Sequence, residues 1–463
     1  MLTKRFLHSF RDVVVVGGGP AGLSILTALK NSPKTSHLEC SLIEGSHITK
    51  IKEFDDPNYT NRVISLTTKS IKFMQKIGNW NYIDQERIKF YDNLFVVDSQ
   101  DKDANISFTN DSIDYNPMGA MCEILNVQKS LLLRLDDINS TTENKAEIIE
   151  NVKVEDIVNP PLNEELDWPI IKLSNGDTIQ TRLLIGADGY NSPVRKYAGI
   201  ESRGWQYDSF GIVSTLTLTT EDFNNVGYQR FLSTGPLGVL PLTDNNATLV
   251  WSTKAWLSKI LKSVDDDMFK VLVNAALRLD EVDLNYVYKK LEVDPKDTSV
   301  IDDINWRLEE MENKKEPSSF WDDDNEIPEV ETLLPGSRAM FPLKMSHADT
   351  YVAPRVALVG DAAHTIHPLA GQGLNMGQTD VSILIETIEK GIDRGLDIGS
   401  TLTLEPYVSN AWPMNHAILG VCDKLHKLFG NDFTPIVAIR GLGMKVFNNL
   451  TPIKDMLVKS LSV

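Results

Sequence analysis

The feature that most constrains the fold lies near the N-terminus, where four consecutive valines lead into a glycine-rich turn. Val13 to Val16 predict a buried β-strand, and Gly17, Gly19 and Gly22 follow with the spacing G-x-G-x-x-G at the start of a segment rich in Ala and Leu. In such a strand–turn–helix unit the glycines let the backbone approach a pyrophosphate, and the helix N-terminus faces the phosphate charge. The sequence therefore predicts an α/β domain that binds a dinucleotide.

Two acidic residues at predicted strand ends support this interpretation. The strand-like segment 40–44 ends in Glu44, about 20 residues after the last glycine, where a carboxylate is expected to bind a ribose hydroxyl. A second apolar strand, within 182–195, ends at Asp188 and Gly189. The alternative, a glycine turn in another kind of α/β unit, is disfavoured by this spacing.

A third segment, 356–375, also begins as an apolar strand and ends in Gly360 and Asp361 before a glycine-rich loop opens a second helix. An aspartate at a strand end can hold ribose or ribityl hydroxyls. The helix that begins near Leu374 can place its positive end beside an anionic ring. The segment therefore predicts a further part of the same dinucleotide site.

Together, the three segments resemble the fingerprint of the FAD-dependent aromatic hydroxylases, which carry a glycine turn, an Asp-Gly pair and a G-D…H-P…G-Q-G-L-N stretch in this order. The similarity runs from about residue 12 to the C-terminus, and 371–381 resembles the mitochondrial members. Four further segments resemble the ubiquinone-biosynthesis branch of that family: 61–67, 231–236, 246–251 and 339–344. The resemblance implies FAD as cofactor and an α/β fold similar to para-hydroxybenzoate hydroxylase, with a Rossmann-like FAD domain, a mixed β-sheet substrate domain and C-terminal helices.

The resemblance also implies roles for individual residues. Pro368, Gly371 and Asn375 are expected at the reactive edge of the flavin. The residues expected to hold FAD are Gly17, Gly19, Gly22, Glu44, Arg62, Gln128, Asp188, Gly189, Gly360, Asp361, Gly373 and Leu374. Arg62 in a surface salt bridge and Gln128 as an exposed helical residue are the alternatives.

Two histidines of the third segment, His364 and His367, are interpreted as shaping the loop rather than as acid–base groups, although an imidazole titrates near neutral pH. No base for a phenol can be chosen from the sequence. Phe341, Pro342 and Leu343 are expected to form an apolar wall beside the substrate ring.

The activity implied by the resemblance is hydroxylation of the aromatic ring, at carbon 5, of a polyprenyl-hydroxybenzoate in ubiquinone biosynthesis, through a flavin C4a-hydroperoxide. The implied partners are the prenylated phenol and O2, a ferredoxin with its reductase as electron donor, and other ubiquinone-biosynthesis proteins. A non-catalytic FAD-bearing scaffold subunit and a flavin monooxygenase for another phenol remain alternatives. A flavin halogenase is disfavoured because the W-x-W-x-I-P motif is absent.

Composition excludes several other classes. The net charge of −18 argues against nucleic-acid binding, which requires a positive surface. The three cysteines, at 40, 122 and 422, have neither zinc nor disulfide spacing, so no metal is expected. No stretch approaches the ~18 apolar residues of a membrane span.

The first eleven residues are basic and lack acids, so they are similar to a short mitochondrial presequence, with a basic tail as the alternative. The family resemblance favours a peripheral location on the matrix side of the mitochondrial inner membrane.

The predicted domains alternate along the chain. The FAD domain is expected to comprise 12–90, 117–200 and 346–395, and a C-terminal helical region is expected at 396–463. The remaining segments, 91–116 and 201–345, read as a strand-rich substrate domain with an exposed acidic insertion near 309–336.

The C-terminal region reverses the charge of the chain, because four basic residues after residue 434 face a single acid. A helix with Ile453, Met456, Leu457 and Leu461 on one face predicts contact with a membrane or an acidic partner. A helix packed on its own domain is the alternative.

Overall fold

The protein is described by a computed structural model that covers residues 9–101, 103–109, 117–160, 167–219, 225–313, 329–366, 371–450 and 454. The helices are α1 Pro20–Asn31, α2 Thr68–Ile77, α3 Ile124–Thr141, α4 Pro193–Tyr197, α5 Ala255–Ser263, α6 Asp266–Arg278, α7 Glu281–Val293, α8 Ser299–Asn313, α9 Gly373–Asp393, α10 Thr401–Phe429 and α11 Thr434–Asn448.

The strands form three sheets within these ranges. They are β1 Ser9–Val16, β2 Cys40–Ile43, β3 Val63–Thr67, β4 Lys89–Tyr91, β5 Asn93–Asp98, β6 Asn105–Thr109, β7 Gly119–Glu123, β8 Glu147–Ile149, β9 Val154–Val158, β10 Ile170–Leu173, β11 Thr178–Gly186, β12 Ser202–Leu218, β13 Val226–Leu232, β14 Gly235–Pro241, β15 Asn246–Lys254, β16 Val330–Leu333, β17 Ala339–Ala348, β18 Val352–Ala353, β19 Val356–Leu358 and β20 His364–Thr365.

The first sheet brings the three sequence motifs together. Its order is β18-β19-β11-β1-β2-β8, and β1 runs parallel to β2 and β11, which in turn runs parallel to β19. Val13 to Val15 of β1 are fully buried, as a parallel strand covered on both faces requires. Because parallel strands end at the same edge, the turns after β1, β11 and β19 lie side by side, which is where such sheets bind ligands.

The second sheet has nine strands in the order β20-β17-β12-β15-β14-β13-β5-β6, and β16 pairs with β12. Neighbours in this sheet are antiparallel except β5 and β13. A separate three-stranded sheet, β3-β7-β4, completes the described strands. The predicted domain boundaries remain a prediction, although β5 and β6 do pair into the same sheet as the strands of 201–345.

The expectation that 201–345 is strand-rich is wrong between residues 255 and 313, where α5 to α8 form. The Asp265 carboxylate caps α6 by accepting a hydrogen bond from the Met268 backbone N–H at 2.8 Å. The helices cover one face of the second sheet, as shown by Trp251 of β15 and Phe269 of α6, whose rings lie 6.4 Å apart in a shared core. Within the predicted acidic insertion, 309–313 end α8, 330–333 form β16, and 314–328 lie outside the described residues.

The helix predicted to begin near Leu374 is α9, which begins at Gly373 and buries the apolar stripe Val381, Leu384, Ile385 and Ile388. Helices α10 and α11 lie within 396–463, where helices are expected. A buried ion pair fixes α11 to β5, since Arg440 donates from Nε to Asp98 Oδ2 at 2.6 Å and from Nη2 to Oδ1 at 2.9 Å. The predicted face 453–461 lies outside the described residues. Among the described helices, none is both long and apolar enough to cross a bilayer.

All three cysteines are buried, and none is in a disulfide. Burial raises the pKa of Cys40 to about 12 and that of Cys422 to about 11, and it also raises the pKa of Cys122. Across the described ranges, no three His, Cys, Asp or Glu side chains gather as metal ligands.

Candidate functional site

A single cavity of about 1260 Å³ extends from the carboxyl edge of the first sheet, beneath the nine-stranded sheet, to α10 and α11. At one end it is lined by the N-terminus of α1 and by the turns after β11 and β19. At the other end it is lined by apolar side chains. The two ends of the cavity therefore differ in chemistry.

The glycine turn has the geometry that a pyrophosphate requires. Gly17 has φ +107°, and a Cβ there would lie 2.3 Å from the Ala187 carbonyl oxygen. A Cβ on Gly22 would lie 1.9 Å from the Gly17 oxygen, so both glycines are needed for close packing of turn, helix and strand. A Cβ on Gly19 would meet no atom within 4 Å, because Gly19 faces the open cavity at the N-terminus of α1. An anion bound there would meet free N–H groups of the helix.

Glu44 and Gln128 hold this turn from outside the cavity. The Glu44 carboxylate accepts hydrogen bonds from the Gly18 N–H at 2.7 Å and from the Ser46 N–H at 2.8 Å. The buried Gln128 side chain donates from Nε2 to the Gly18 carbonyl oxygen at 3.0 Å. Neither residue lines the cavity, so both fix the backbone that would hold the cofactor. The alternative of an exposed Gln128 is wrong.

In the turn after β11, Gly189 faces the cavity and Asp188 faces the start of α4. Gly189 has φ +80° and lines the cavity. The Asp188 carboxylate instead accepts a hydrogen bond from the Val194 N–H at 3.1 Å, at the start of α4, and burial raises its pKa. Asp188 thereby holds the turn rather than lining the cavity.

The turn after β19 is held by a buried carboxylate that the sequence analysis did not identify as a site residue. The Oδ2 atom of Asp380, on α9, accepts a hydrogen bond from the Gly360 N–H at 3.0 Å. The same oxygen lies 2.6 Å from His364 Nε2. The Oδ1 atom of Asp380 accepts from Asn415 Nδ2 at 2.8 Å. The only sequence signal was an acidic residue beside the apolar stripe of α9.

Asp361 itself lines the cavity. Its surroundings raise the pKa of its carboxyl through burial, whereas the nearby His364 lowers it. The Asp361 side chain is open to the cavity. A carboxylate at a strand end there fits a hydroxyl-bearing ligand such as the ribityl chain, which can donate hydrogen bonds to it. His364 is fully enclosed against Asp380, where it shapes the loop.

Gly371, Gly373 and Leu374 line the cavity at the start of α9, whereas Asn375 does not. Asn375 is buried, and its Nδ2 donates to the Ser65 carbonyl oxygen at 2.7 Å and to the Gly371 oxygen at 3.1 Å. Its Oδ1 accepts from the Thr67 N–H at 3.0 Å and the Ser70 hydroxyl at 2.8 Å. Asn375 therefore positions the loop and β3 relative to each other. Pro368 and His367 lie outside the described residues.

Arg62 lines the cavity and is exposed, and no ion pair between described residues involves it. Its guanidinium is thus available to an anionic ligand. Phe341, Pro342 and Leu343 lie on β17 and do not line the cavity, so the expected apolar wall is wrong.

The actual wall comes from the second sheet and the C-terminal helices. Its members include Leu94, Val96, Ile106, Phe108, Phe231, Leu240, Val250, Val421, Leu425, Phe429, Ile439, Met444 and Phe447. Arg440 is the charged lining residue in this half, and its charge is paired with Asp98. The cavity therefore combines a polar end suited to FAD with a long apolar extension.

Comparison with known proteins agrees with this geometry. The family described as "FAD binding domain" matches residues 11–286 and 309–395. The Saccharomyces cerevisiae protein named "Ubiquinone biosynthesis monooxygenase COQ6, mitochondrial" is 44% identical, over 100% of this chain and 98% of that protein. The human protein of the same name is 33% identical, over 96% of this chain and 91% of that protein.

Solved structures share the fold at lower identity. Pseudomonas aeruginosa PqsL in complex with 2-aminobenzoylacetate superposes with a TM-score of 0.68 at 18% identity, over 94% of this chain and 99% of that chain. The p-nitrophenol 4-monooxygenase PnpA from Pseudomonas putida gives 0.64 at 15% identity, over 98% and 99% of the two chains.

Fold, cavity and relatives together define an FAD-dependent monooxygenase. The chain belongs to the FAD-dependent aromatic hydroxylases, in their ubiquinone-biosynthesis branch.

Proposed function

We propose that this monooxygenase hydroxylates carbon 5 of the aromatic ring of a polyprenyl-hydroxybenzoate, in mitochondria, on the matrix side of the inner membrane. The observation that supports the proposal is the two-part cavity, whose apolar half fits a prenyl chain. Each buried five-carbon isoprene unit would contribute roughly 3 to 4 kcal/mol of gross apolar stabilisation. The relatives' names supply the pathway and the organelle.

In this proposal the chain's own residues bind, orient and exclude water. Gly19 would face the pyrophosphate, on a turn that Gly17 and Gly22 allow to pack closely, and Asp361 would hold the ribityl hydroxyls. The loop that starts at Gly371 supports the flavin edge. Bound FAD supplies the reduction and activation of O2 that the family resemblance implies. The apolar walls keep water from the reacting ring, which favours transfer of oxygen to the substrate.

The proposed partners follow the same family resemblance: a ferredoxin with its reductase as the electron donor, and other ubiquinone-biosynthesis proteins. A monooxygenase acting on a different phenol is the competing function, and the same experiment separates the two.

The test compares turnover of a short-chain prenylated 4-hydroxybenzoate with that of unprenylated 4-hydroxybenzoate, with products identified by mass spectrometry and NMR. Ile106→Glu, which places a charge in the apolar half, should keep its FAD absorbance yet lower prenylated turnover by about tenfold or more, since an unpaired charge there disfavours apolar contact. Leu402→Glu, at an exposed position of α10 outside the cavity, is the matched control. Hydroxylation of neither compound, or at another carbon, would contradict the proposal.

A further inference from the structure

The C-terminal helices carry an apolar surface that the fold does not cover. On α11, Ile439, Leu442 and Val446 are 73%, 63% and 52% exposed. These positions recur at i, i+3 and i+7, so they form one stripe, while Arg440 and Met444 on another face are buried. An exposed apolar stripe on a helix whose other face is already packed indicates a second apolar environment.

Helix α10 extends this surface. Val421, Leu425 and Leu428 are 56%, 38% and 40% exposed, again at i, i+4 and i+7. We call these three residues, together with Ile439, Leu442 and Val446, the apolar rim.

The apolar rim is continuous with the cavity. Val421, Leu425, Leu428 and Ile439 are both exposed and part of the cavity lining. The apolar half of the cavity therefore opens to the outside through this rim. An opening with apolar walls does not favour entry of a polar cofactor or a small polar substrate. A lipid can pass through it without leaving apolar surroundings.

Charge distinguishes the rim from the rest of the chain. Residues 416–463 contain six Lys and Arg against three Asp, a net charge of +3 on a chain of net charge −18. Two of these charges are exposed on α10 beside the rim, at Lys424 and Lys427. Arg440 is buried against Asp98, and Lys445 is paired with Asp101 and Asp103, so neither adds a free charge to the rim. An exposed apolar surface with exposed lysines beside it is the pattern of surfaces that bind anionic bilayers.

We propose that the apolar rim docks on an anionic lipid bilayer and that the cavity then opens directly into the membrane. This inference rests on the proposed function, because a polyprenylated substrate is what the opening would admit. It assigns the membrane contact to described residues of α10 and α11, independently of the tail beyond residue 450.

The test uses the FAD-loaded full chain and co-sedimentation with phosphatidylcholine vesicles, with and without cardiolipin. We expect binding to the cardiolipin vesicles, weakened by salt. The variant Leu442→Glu/Val446→Glu, whose positions do not line the cavity, should lower the vesicle partition coefficient by about tenfold or more for each side chain removed from lipid. Val282→Glu/Val293→Glu on α7, at positions 80% and 88% exposed, should bind like the parent.

Turnover separates this inference from the proposed function. The Leu442→Glu/Val446→Glu variant should hydroxylate a detergent-free, short-chain substrate at the parental rate, yet lose turnover of substrate embedded in vesicles. Three results would overturn the inference. The first is no vesicle binding by the parent, and the second is an equal loss of vesicle binding in the two double variants. The third is loss of vesicle binding on truncation after Leu450 while the Leu442→Glu/Val446→Glu variant binds fully. A parental dimer that the rim variant dissociates would also overturn it, since a second copy would then cover the rim. Failure of soluble turnover in the parent would contradict the proposed function instead.

Discussion

At the scale of single residues, the glycines of the turn after β1 have two different roles: two are required for packing and one for the cofactor. Gly17 and Gly22 have no room for a side chain, because added Cβ atoms would lie within 2.3 Å of backbone oxygens. Gly19 has room and an ordinary backbone conformation, φ −69° and ψ 177°. Its lack of a side chain serves only a ligand in the cavity.

We therefore expect Gly19→Ala to fold with parental stability as the apoprotein but to bind FAD more weakly by about tenfold or more, because the methyl group occupies the approach of the pyrophosphate. Gly420→Ala, at another glycine with open space around the added Cβ, is the control and should bind FAD normally. Titration of the apoproteins with FAD measures the difference. Parental FAD affinity in Gly19→Ala would show that the phosphate lies elsewhere.

Several residues predicted for the FAD site lie beside the cavity but do not line it. Glu44, Gln128 and Asn375 are all at the site, yet each holds backbone rather than facing the cavity. Asn375 bonds to Ser65, which is 310 positions away in the chain. No local pattern encodes such partners, and for the same reason Asp380 was not recognised as the anchor of the Gly360 turn.

At the scale of elements, α11 depends on one buried ion pair. The side chains of Arg440 and Asp98 are 1% and 0% exposed. Burial raises the pKa of Asp98, and hydrogen bonds from the Gln100 N–H and from Arg440 counteract that rise. Removal of the arginine would leave a buried carboxyl without its partner.

Arg440→Met should accordingly lower the free energy of unfolding by about 3 to 5 kcal/mol, measured by urea denaturation of the FAD-loaded protein. Lys445→Met removes a cation from the same helix, but its partners Asp101 and Asp103 lie at 3.4 and 3.5 Å in a solvent-exposed cluster. This control should change stability little. Equal effects of the two substitutions would mean that the ion pair does not anchor α11.

Elements with a strong local sequence pattern were predicted well. Examples are β1, with its run of valines, and α9, which follows a glycine-rich loop. The helices α5 to α8 were missed although Leu257, Ile260, Leu261 and Val264 have helical spacing. Strand-rich segments on both sides of them favoured a continuous sheet. Strands and the helices that cover them are hard to tell apart from the sequence. Both contribute apolar residues to one shared core.

At the scale of the whole molecule, the chain has a net charge of −18, yet helix α2 carries a second basic surface. Lys69, Lys72 and Lys76 are exposed at i, i+3 and i+7 on α2. On the same helix, Ser70 bonds to Asn375 at the start of α9, so this surface adjoins the FAD end of the cavity. It would suit an electron-transfer protein with an acidic surface.

If a ferredoxin is the donor, Lys69→Glu/Lys72→Glu should slow flavin reduction by reduced ferredoxin on the order of tenfold at low salt, because long-range attraction sets the encounter rate. Reduction by dithionite should be unchanged. Lys259→Glu/Lys262→Glu on α5 is the matched control, with the same charge change at exposed positions. Stopped-flow absorbance follows the flavin, and rapid bleaching by NADPH alone would contradict a protein donor.

The buried cysteines bear on how this molecule withstands oxidants. A thiol reacts with peroxide mainly as the thiolate, and the raised pKa values of Cys40, Cys122 and Cys422 keep all three protonated at neutral pH. A protein that handles O2 beside a reducible cofactor is thereby protected from sulfenic acid formation and cross-linking at its own thiols. This protection comes from the packing around the three side chains, which are all buried.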